Sequence, residues 1–121
     1  MTAKEIQGLV ESLNYWDARV TSLNCNHFAD EIELTYDIEE HSVVYKFIGC
    51  YKSLFNHHKG YDKCIPVREM RLAQIPYFMQ DIEIDEVLVE DIVFYTCKIN
   101  MYPLSLEICC KDIKIITQKS M

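Results

Sequence analysis

The sequence predicts an α+β domain in which an N-terminal helix packs on one face of a mainly antiparallel, curved sheet of six or seven strands. Through most of the chain, apolar residues recur at every second position, which is the period of a strand with one buried face. Only the N-terminal stretch has a clear helical period. The connections between the apolar runs are too short for parallel crossovers, so neighbouring strands should pair antiparallel.

The helix is predicted over Thr2–Asn14. Thr2 and Glu5 have the spacing of a capping box, in which each side chain accepts a hydrogen bond from the other residue's backbone N–H. The apolar positions follow the i, i+3, i+4, i+7 pattern of a one-sided helix: Ile6, Leu9, Val10 and Leu13. We interpret the adjacent Trp16 as a packing residue between helix and sheet, with a partner-binding hot spot as the alternative.

The stretch Ser42–Phe55 predicts the central strand of the sheet. The alternating set expected on its buried face is Val43, Tyr45, Phe47, Tyr51 and Phe55. The opposite face is also apolar, which favours an internal strand covered on both sides. Gly49 interrupts the run, and a glycine inside a strand usually marks a bulge or a bend.

The remaining strands are predicted on either side of this one. Their ranges are Tyr15–Cys25 with soft boundaries, Phe28–Ile38, Tyr77–Leu88, Ile92–Met101, Leu104–Ile108, and a last strand through Ile113 and Ile115. The alternation breaks near Lys111–Asp112, which indicates a tight turn or a bulge. The segment Pro66–Gln74 fits either a short helix or a strand.

The length of 121 residues predicts one domain, 1–121, that can bury a core without disulfides or metals. The chain has no apolar run of about eighteen residues and no leader-like N-terminus, so we expect a cytoplasmic protein without membrane association. In that compartment, the six cysteines should be free and mostly buried thiols.

The formal net charge of −7 is unevenly distributed along the chain. Two segments, 30–40 and 81–91, hold six acids each and no Lys or Arg. The rest of the chain holds the other seven acids and all twelve bases, a net charge of +5. Such acidic segments repel nucleic acid and attract basic proteins, so we expect a protein partner and no nucleic-acid partner.

Enzyme and cofactor signatures are absent from the sequence. It has no Gly-rich phosphate loop, no Gly-x-Ser-x-Gly elbow and no His-Glu-x-x-His motif. An array of Cys50, His57, His58 and Cys64 lacks the short ligand pairs of zinc sites. We therefore expect a protein that is not an enzyme and has no metal and no cofactor.

Three stretches in order along the chain resemble a known group of proteins. They are Trp16-Asp17-Ala18-Arg19-Val20 after the helix, Phe47-Ile48-Gly49-Cys50 in the central strand, and Leu106 to Ile113 (LEICCKDI) near the end. In their order along the chain and in the kinds of residue they contain, they resemble the small bacterial immunity proteins of contact-dependent growth inhibition and related polymorphic toxin systems. The resemblance implies binding and neutralisation of a cognate toxin C-terminal domain, commonly a nuclease with a basic active surface.

The acids of the two segments are the predicted partner-binding residues. They are Glu31, Glu33, Asp37, Glu39, Glu40, Asp81, Glu83, Asp85 and Glu86. If their strands are neighbours they form one patch; otherwise only one set is the site. A small ligand- or metal-binding domain and a subunit of a larger assembly are the alternative functions, and the chain itself should be a monomer or a weak homo-oligomer.

Overall fold

A computed structural model describes residues 1–60 and 65–119, and it confirms the α+β class with an antiparallel sheet. The described elements are α1 (Ala3–Ser12), β1 (Arg19–Asn26), β2 (Glu31–Ile38), β3 (His41–His57), β4 (Asp81–Val89), β5 (Ile92–Met101) and β6 (Leu104–Lys119). Pro66–Gln74 forms neither a regular helix nor a strand, since it contains two short 3-10 turns, Val67–Glu69 and Leu72–Gln74.

The six strands form one sheet in the order β1-β2-β3-β6-β5-β4, and every neighbouring pair is antiparallel. The long strands β3 and β6 make a central ribbon of 17 and 16 residues. The pair β1–β2 flanks the first half of β3, whereas β5 pairs only with residues 104–110 of β6. The sheet is therefore two smaller sheets offset along one ribbon.

Curvature brings the two edges of the sheet together at one corner. The N–H of Val20 donates to the carbonyl of Tyr77 at 2.9 Å, and the N–H of Met79 donates to the carbonyl of Ala18 at 2.8 Å. These bonds join edge strand β1 to the segment that leads into edge strand β4. The corner is thus closed by backbone pairing, which protects edge groups that would otherwise invite aggregation.

A bulge at Gly49 bends the central ribbon and changes which side chains point inward. Gly49 has φ +68°, and the β3–β6 register shifts between Cys50 and Lys52. The predicted bulge or bend is confirmed. However, Tyr51 and Phe55, both predicted on the buried face, are exposed. Tyr51 lies at the register shift, so the alternation of the preceding residues does not continue to it, whereas Phe55 pairs with the buried Leu106 on the inner face. On β6, the phase break near Lys111–Asp112 lies inside one continuous strand, so there is no separate seventh strand.

One hydrophobic core lies between α1 and the inner face of the sheet. The capping box of Thr2 and Glu5 is present, and Ala3, Ile6 and Val10 are buried on the inner side of the helix. Among the described residues, no helix is long and apolar enough to cross a membrane.

Inside the core, the hydroxyl groups of Tyr36 and Tyr45 share a hydrogen bond of 2.7 Å, so both buried polar atoms are paired. β3 is internal in the sheet, as predicted, but the outward side chains Val44 and Ile48 are half-buried rather than covered. The outer face is therefore partly solvated although these side chains are apolar, since α1 covers only the inner face.

We predict that Gly49→Ala destabilises the protein by about 1–2 kcal/mol, because an L residue is strained at this positive φ. In addition, an added Cβ would lie 3.0 Å from the Cβ of Lys111. Urea unfolding of both proteins measures the difference. The matched control is Gly8→Ala in α1, where nothing lies within 4 Å of the added Cβ. That change should stabilise the helix by up to about 1 kcal/mol. A Gly49→Ala protein as stable as the parent would contradict the bulge.

Candidate partner-binding surface

The first acidic set lies on β2 and its turn, where several of its members have partners. The carboxylate of Glu33 lies 3.5 Å from Nζ of Lys46 on the neighbouring strand. Oγ of Ser42 donates to Asp37 at 2.9 Å, and Glu31 lies 3.9 Å from Nε2 of His27. These contacts reduce the negative field that the β2 face offers to a partner.

Glu39 and Glu40 form the exposed two-residue turn between β2 and β3. Glu39 has φ +50°, so its side chain projects from a tight hairpin end. The two carboxylates therefore stand at the hairpin end of β2, next to the Asp37–Ser42 pair.

The second acidic set lies on edge strand β4. Asp81, Glu83 and Asp85 alternate with the buried Ile82 and Ile84, so the three carboxylates share the outer face and are exposed. The only ion pairs closer than 4 Å in the described ranges 1–60 and 65–119 involve the β2 acids. The three carboxylates therefore form the more open of the two acidic rows.

The strand order separates the two acidic sets. β3, β6 and β5 lie between β2 and β4. At ~4.8 Å per strand step, β2 and β4 are roughly 19 Å apart along the sheet. The two acidic sets therefore lie on strands that are not neighbours in the sheet order, and the choice of one set as the partner-binding site stays a prediction.

Glu86 differs from the other β4 acids because it belongs to the inner face. Its carboxylate accepts a hydrogen bond from the N–H of Ala3 at 2.6 Å. A carboxylate at the first turn of a helix pairs an otherwise unsatisfied donor and interacts well with the helix dipole. In this structure Glu86 therefore fastens α1 to β4.

The free edge of β4 is partly covered by side chains from the helical region. Gln7 donates to the carbonyl of Ile82 at 2.9 Å and accepts from the N–H of Ile84 at 2.7 Å. The hydroxyl of Tyr15 accepts from the N–H of Ile82 at 3.2 Å. These bonds replace a missing neighbouring strand over the first half of β4, so the backbone of this half is closed to another strand.

An open cleft of about 740 Å³ lies on the outer face beside the first half of β4. Asp81, Glu83, Lys98 and Glu107 are among its charged lining residues. Glu83, Lys98 and Glu107 stand in one cross-strand row on β4, β5 and β6. Alternating charges of this kind can receive polar and basic side chains of a partner in a defined register.

Trp16 is not a core residue, contrary to the preferred interpretation. Its ring is 48% exposed and stacks on the buried ring of Tyr15, with a centroid distance of 4.3 Å. Tyr15 is itself bonded to β4 at Ile82, so the exposed tryptophan lies beside the start of the acidic row. Exposed, well-supported tryptophans are over-represented among the residues that dominate protein interfaces.

Sequence reasoning missed two exposed apolar features. Phe28 was placed in the second strand, but it lies fully exposed in a turn with His27 and Ala29, all three at positive φ. The other is the end of the β4–β5 hairpin, residues 87–94. The available signal there was an acidic pair, Glu90-Asp91, between two short apolar runs, which is the pattern of a hairpin end.

The array of possible zinc ligands does not assemble among its described members. Cys50 is half-buried on β3, and its thiol donates to the carbonyl of Phe47. His57 shares a hydrogen bond of 2.9 Å with the hydroxyl of Tyr77. Cys64 lies outside the described residues. No cluster of three or more metal-ligating side chains occurs within 1–60 and 65–119.

A comparison with protein families matches residues 2–117 to the family described as Immunity protein PIM7. The chain belongs to the immunity protein PIM7 family. The match extends over nearly the whole domain and confirms the predicted membership among bacterial immunity proteins. A search of curated proteins finds no significant match. Immunity proteins neutralise a toxin, so the surfaces of this PIM7 domain are best considered as candidates for toxin binding.

The cysteines of the PIM7 domain should be reduced. Burial raises the pKa of Cys97 well above its ordinary value, and it raises the pKa of Cys110 to about 12. Because the thiolate is the reactive form, these two should react with a disulfide reagent at pH 8 only after unfolding, whereas exposed Cys25 should react early. A Cys25→Ser variant is the control that identifies the early phase.

Thiol titration after unfolding without reductant should count six groups, the number of cysteines in the chain. A count of two or fewer, or one zinc ion bound per chain, would show that the cysteines serve as disulfides or metal ligands instead.

Proposed function

We propose that this protein binds the C-terminal domain of its cognate toxin, a basic nuclease of a contact-dependent growth inhibition or related polymorphic toxin system, and covers its active surface. It acts in the cytoplasm as an inhibitor and not as an enzyme. The observation that carries the proposal is family membership together with an exposed carboxylate row, Asp81, Glu83 and Asp85, on the outer face of an edge strand.

The charge argument concerns the substrate of the toxin. A nuclease must hold phosphate groups, so its active surface is positively charged. An inhibitor that covers that surface needs negative charge at matching positions, which raises the association rate and selects the orientation of docking. The acids of the PIM7 domain are concentrated in two segments and do not form a uniform coat, which suits a local contact.

The β4 row supports this role better than the β2 row. The β2 acids are half-buried and contact Lys46, Ser42 and His27. The β4 acids are exposed, and they lie between an exposed tryptophan at one end of the strand and an apolar hairpin at the other. Charges at an interface rim contribute little affinity individually, so a binding surface needs apolar or aromatic anchors beside them.

We predict that reversing Asp81, Glu83 and Asp85 to Lys weakens toxin binding at least about tenfold, chiefly through a slower association rate. The salt dependence of association should also flatten, because fewer charges steer the encounter. The probe is the C-terminal domain of the cognate toxin, identified from the neighbouring reading frame, with its catalytic residue replaced. Surface plasmon resonance at several salt concentrations gives both rates.

The matched control is the triple reversal of Glu31, Glu33 and Asp37, which changes the net charge equally on the same face of the sheet. It should have the smaller effect. Circular dichroism and thermal unfolding check that both variants keep the fold. If neither triple change weakens binding or alters its salt dependence, the acidic-surface mechanism is wrong, although the immunity role itself would remain.

A further inference from the structure

We propose that the tip of the β4–β5 hairpin, residues 87–94, is the apolar anchor of the interface and inserts into a groove with a positively charged rim on the toxin domain. This inference rests on the proposed function. We call these residues the hairpin tip.

The hairpin tip projects beyond the supported part of the sheet. The β5–β6 ladder ends at the pair Tyr95–Cys110, so the residues of β5 before Tyr95 pair only with β4. β4 is itself the edge of the sheet. The tip is thus a two-stranded ribbon, an arrangement that is only marginally stable in water by itself.

Both faces of the ribbon are apolar. Opposite residues of the two strands share a face, so Val87 lies with Phe94 and Val89 with Ile92, while Leu88 and Val93 lie on the other side. The five aliphatic side chains of this set are 38% to 66% exposed. A contiguous exposed apolar surface of this kind, rimmed by charges, is typical of an interaction site and not of a solvated hairpin.

The base of the ribbon is held firmly although its end is exposed. The ring of Phe94 packs edge-on against Tyr51, with centroids 5.0 Å apart, and Tyr51 is presented by the bulge in β3. On the other face, the hydroxyl of Tyr95 donates to the carbonyl of Met1. A supported base fixes the direction in which the tip projects, which lowers the entropic cost of docking it in a groove.

The chemistry of the turn indicates the charge of the partner. Glu90 and Asp91 occupy the two central positions at φ 49° and 67°, where Asn-Gly is the favoured pair of a tight hairpin. The tip therefore ends in two exposed carboxylates instead of the residues that suit the backbone best. No Lys, Arg or His occurs from Asp81 to Cys97, so the charged side chains of the hairpin itself are all acidic.

This charge selects the toxin domain over a second copy of the chain. A symmetric dimer through the tip would place the same acidic surface against itself, since a two-fold interface uses one patch twice. Like charges brought together in this way cost free energy. A basic surface with an apolar groove, in contrast, matches both the carboxylates of the turn and the aliphatic side chains behind them.

The test replaces the inner-facing pair Leu88 and Val93 by Thr, which keeps a high strand propensity and all acids. Binding to the same inactivated toxin domain should weaken at least about tenfold, with the loss in the dissociation rate and the salt dependence unchanged. The matched control is the same change at the cross-strand pair Val44 and Ile116, which is half-buried on the outer face far from the tip. It should bind as the parent does.

The outcomes separate this inference from the proposed function. If the tip variant binds like the parent while the β4 charge reversal weakens binding, the anchor is wrong and the proposed function stands. If the parent does not bind the toxin domain, the proposed function fails, and the anchor fails with it. If the parent is a dimer that the tip variant dissociates, without any change in toxin affinity, the tip is a self-association surface and the inference is overturned.

Discussion

The bulge at Gly49, in the middle of the β3–β6 ladder, is the constraint on which the rest of the structure depends. The ladder holds the two longest strands together over nearly their full length. At the bulge the inward-facing set changes, so Phe47 points into the core before it and Tyr51 points outward after it. The backbone of Gly49 has φ +68°, which favours glycine, and an added Cβ would also lie 3.0 Å from the Cβ of Lys111 on the next strand.

The offset of the two half-sheets follows from this ribbon. β1 and β2 pair beside one half and β5 and β4 beside the other, which leaves the end of the β4–β5 hairpin without a third strand. The hydrogen bonding of the β4 edge differs between the two halves of the strand. Its first half is bonded by Gln7 and Tyr15, and Glu86 fastens the start of α1. The exposed apolar tip begins where these contacts end, which is why it remains available for a partner.

The periodicity of the sequence was sufficient for the helix, the strands and the antiparallel class, because each depends on local alternation and short connections. It could not supply the strand order. Whether the β2 and β4 acids lie on neighbouring strands depends on that order, and three strands intervene between them. The local pattern also could not predict which side chains are buried after Gly49, because the bulge turns Tyr51 to the exposed side of the strand. Trp16 was misassigned because its neighbour Tyr15 fills the core position instead.

Edge strand β4 combines two kinds of side chain that act over different distances. The outward carboxylates of Asp81, Glu83 and Asp85 generate a field that extends about a Debye length, ~8 Å at physiological ionic strength, and so influences how a basic domain approaches. The aliphatic side chains of the hairpin tip act only on contact, and burying them stabilises a complex that has already formed. Because Gln7 and Tyr15 close the first half of the β4 edge, a partner can be oriented by the acidic row and held by the hairpin tip without adding a strand along that half.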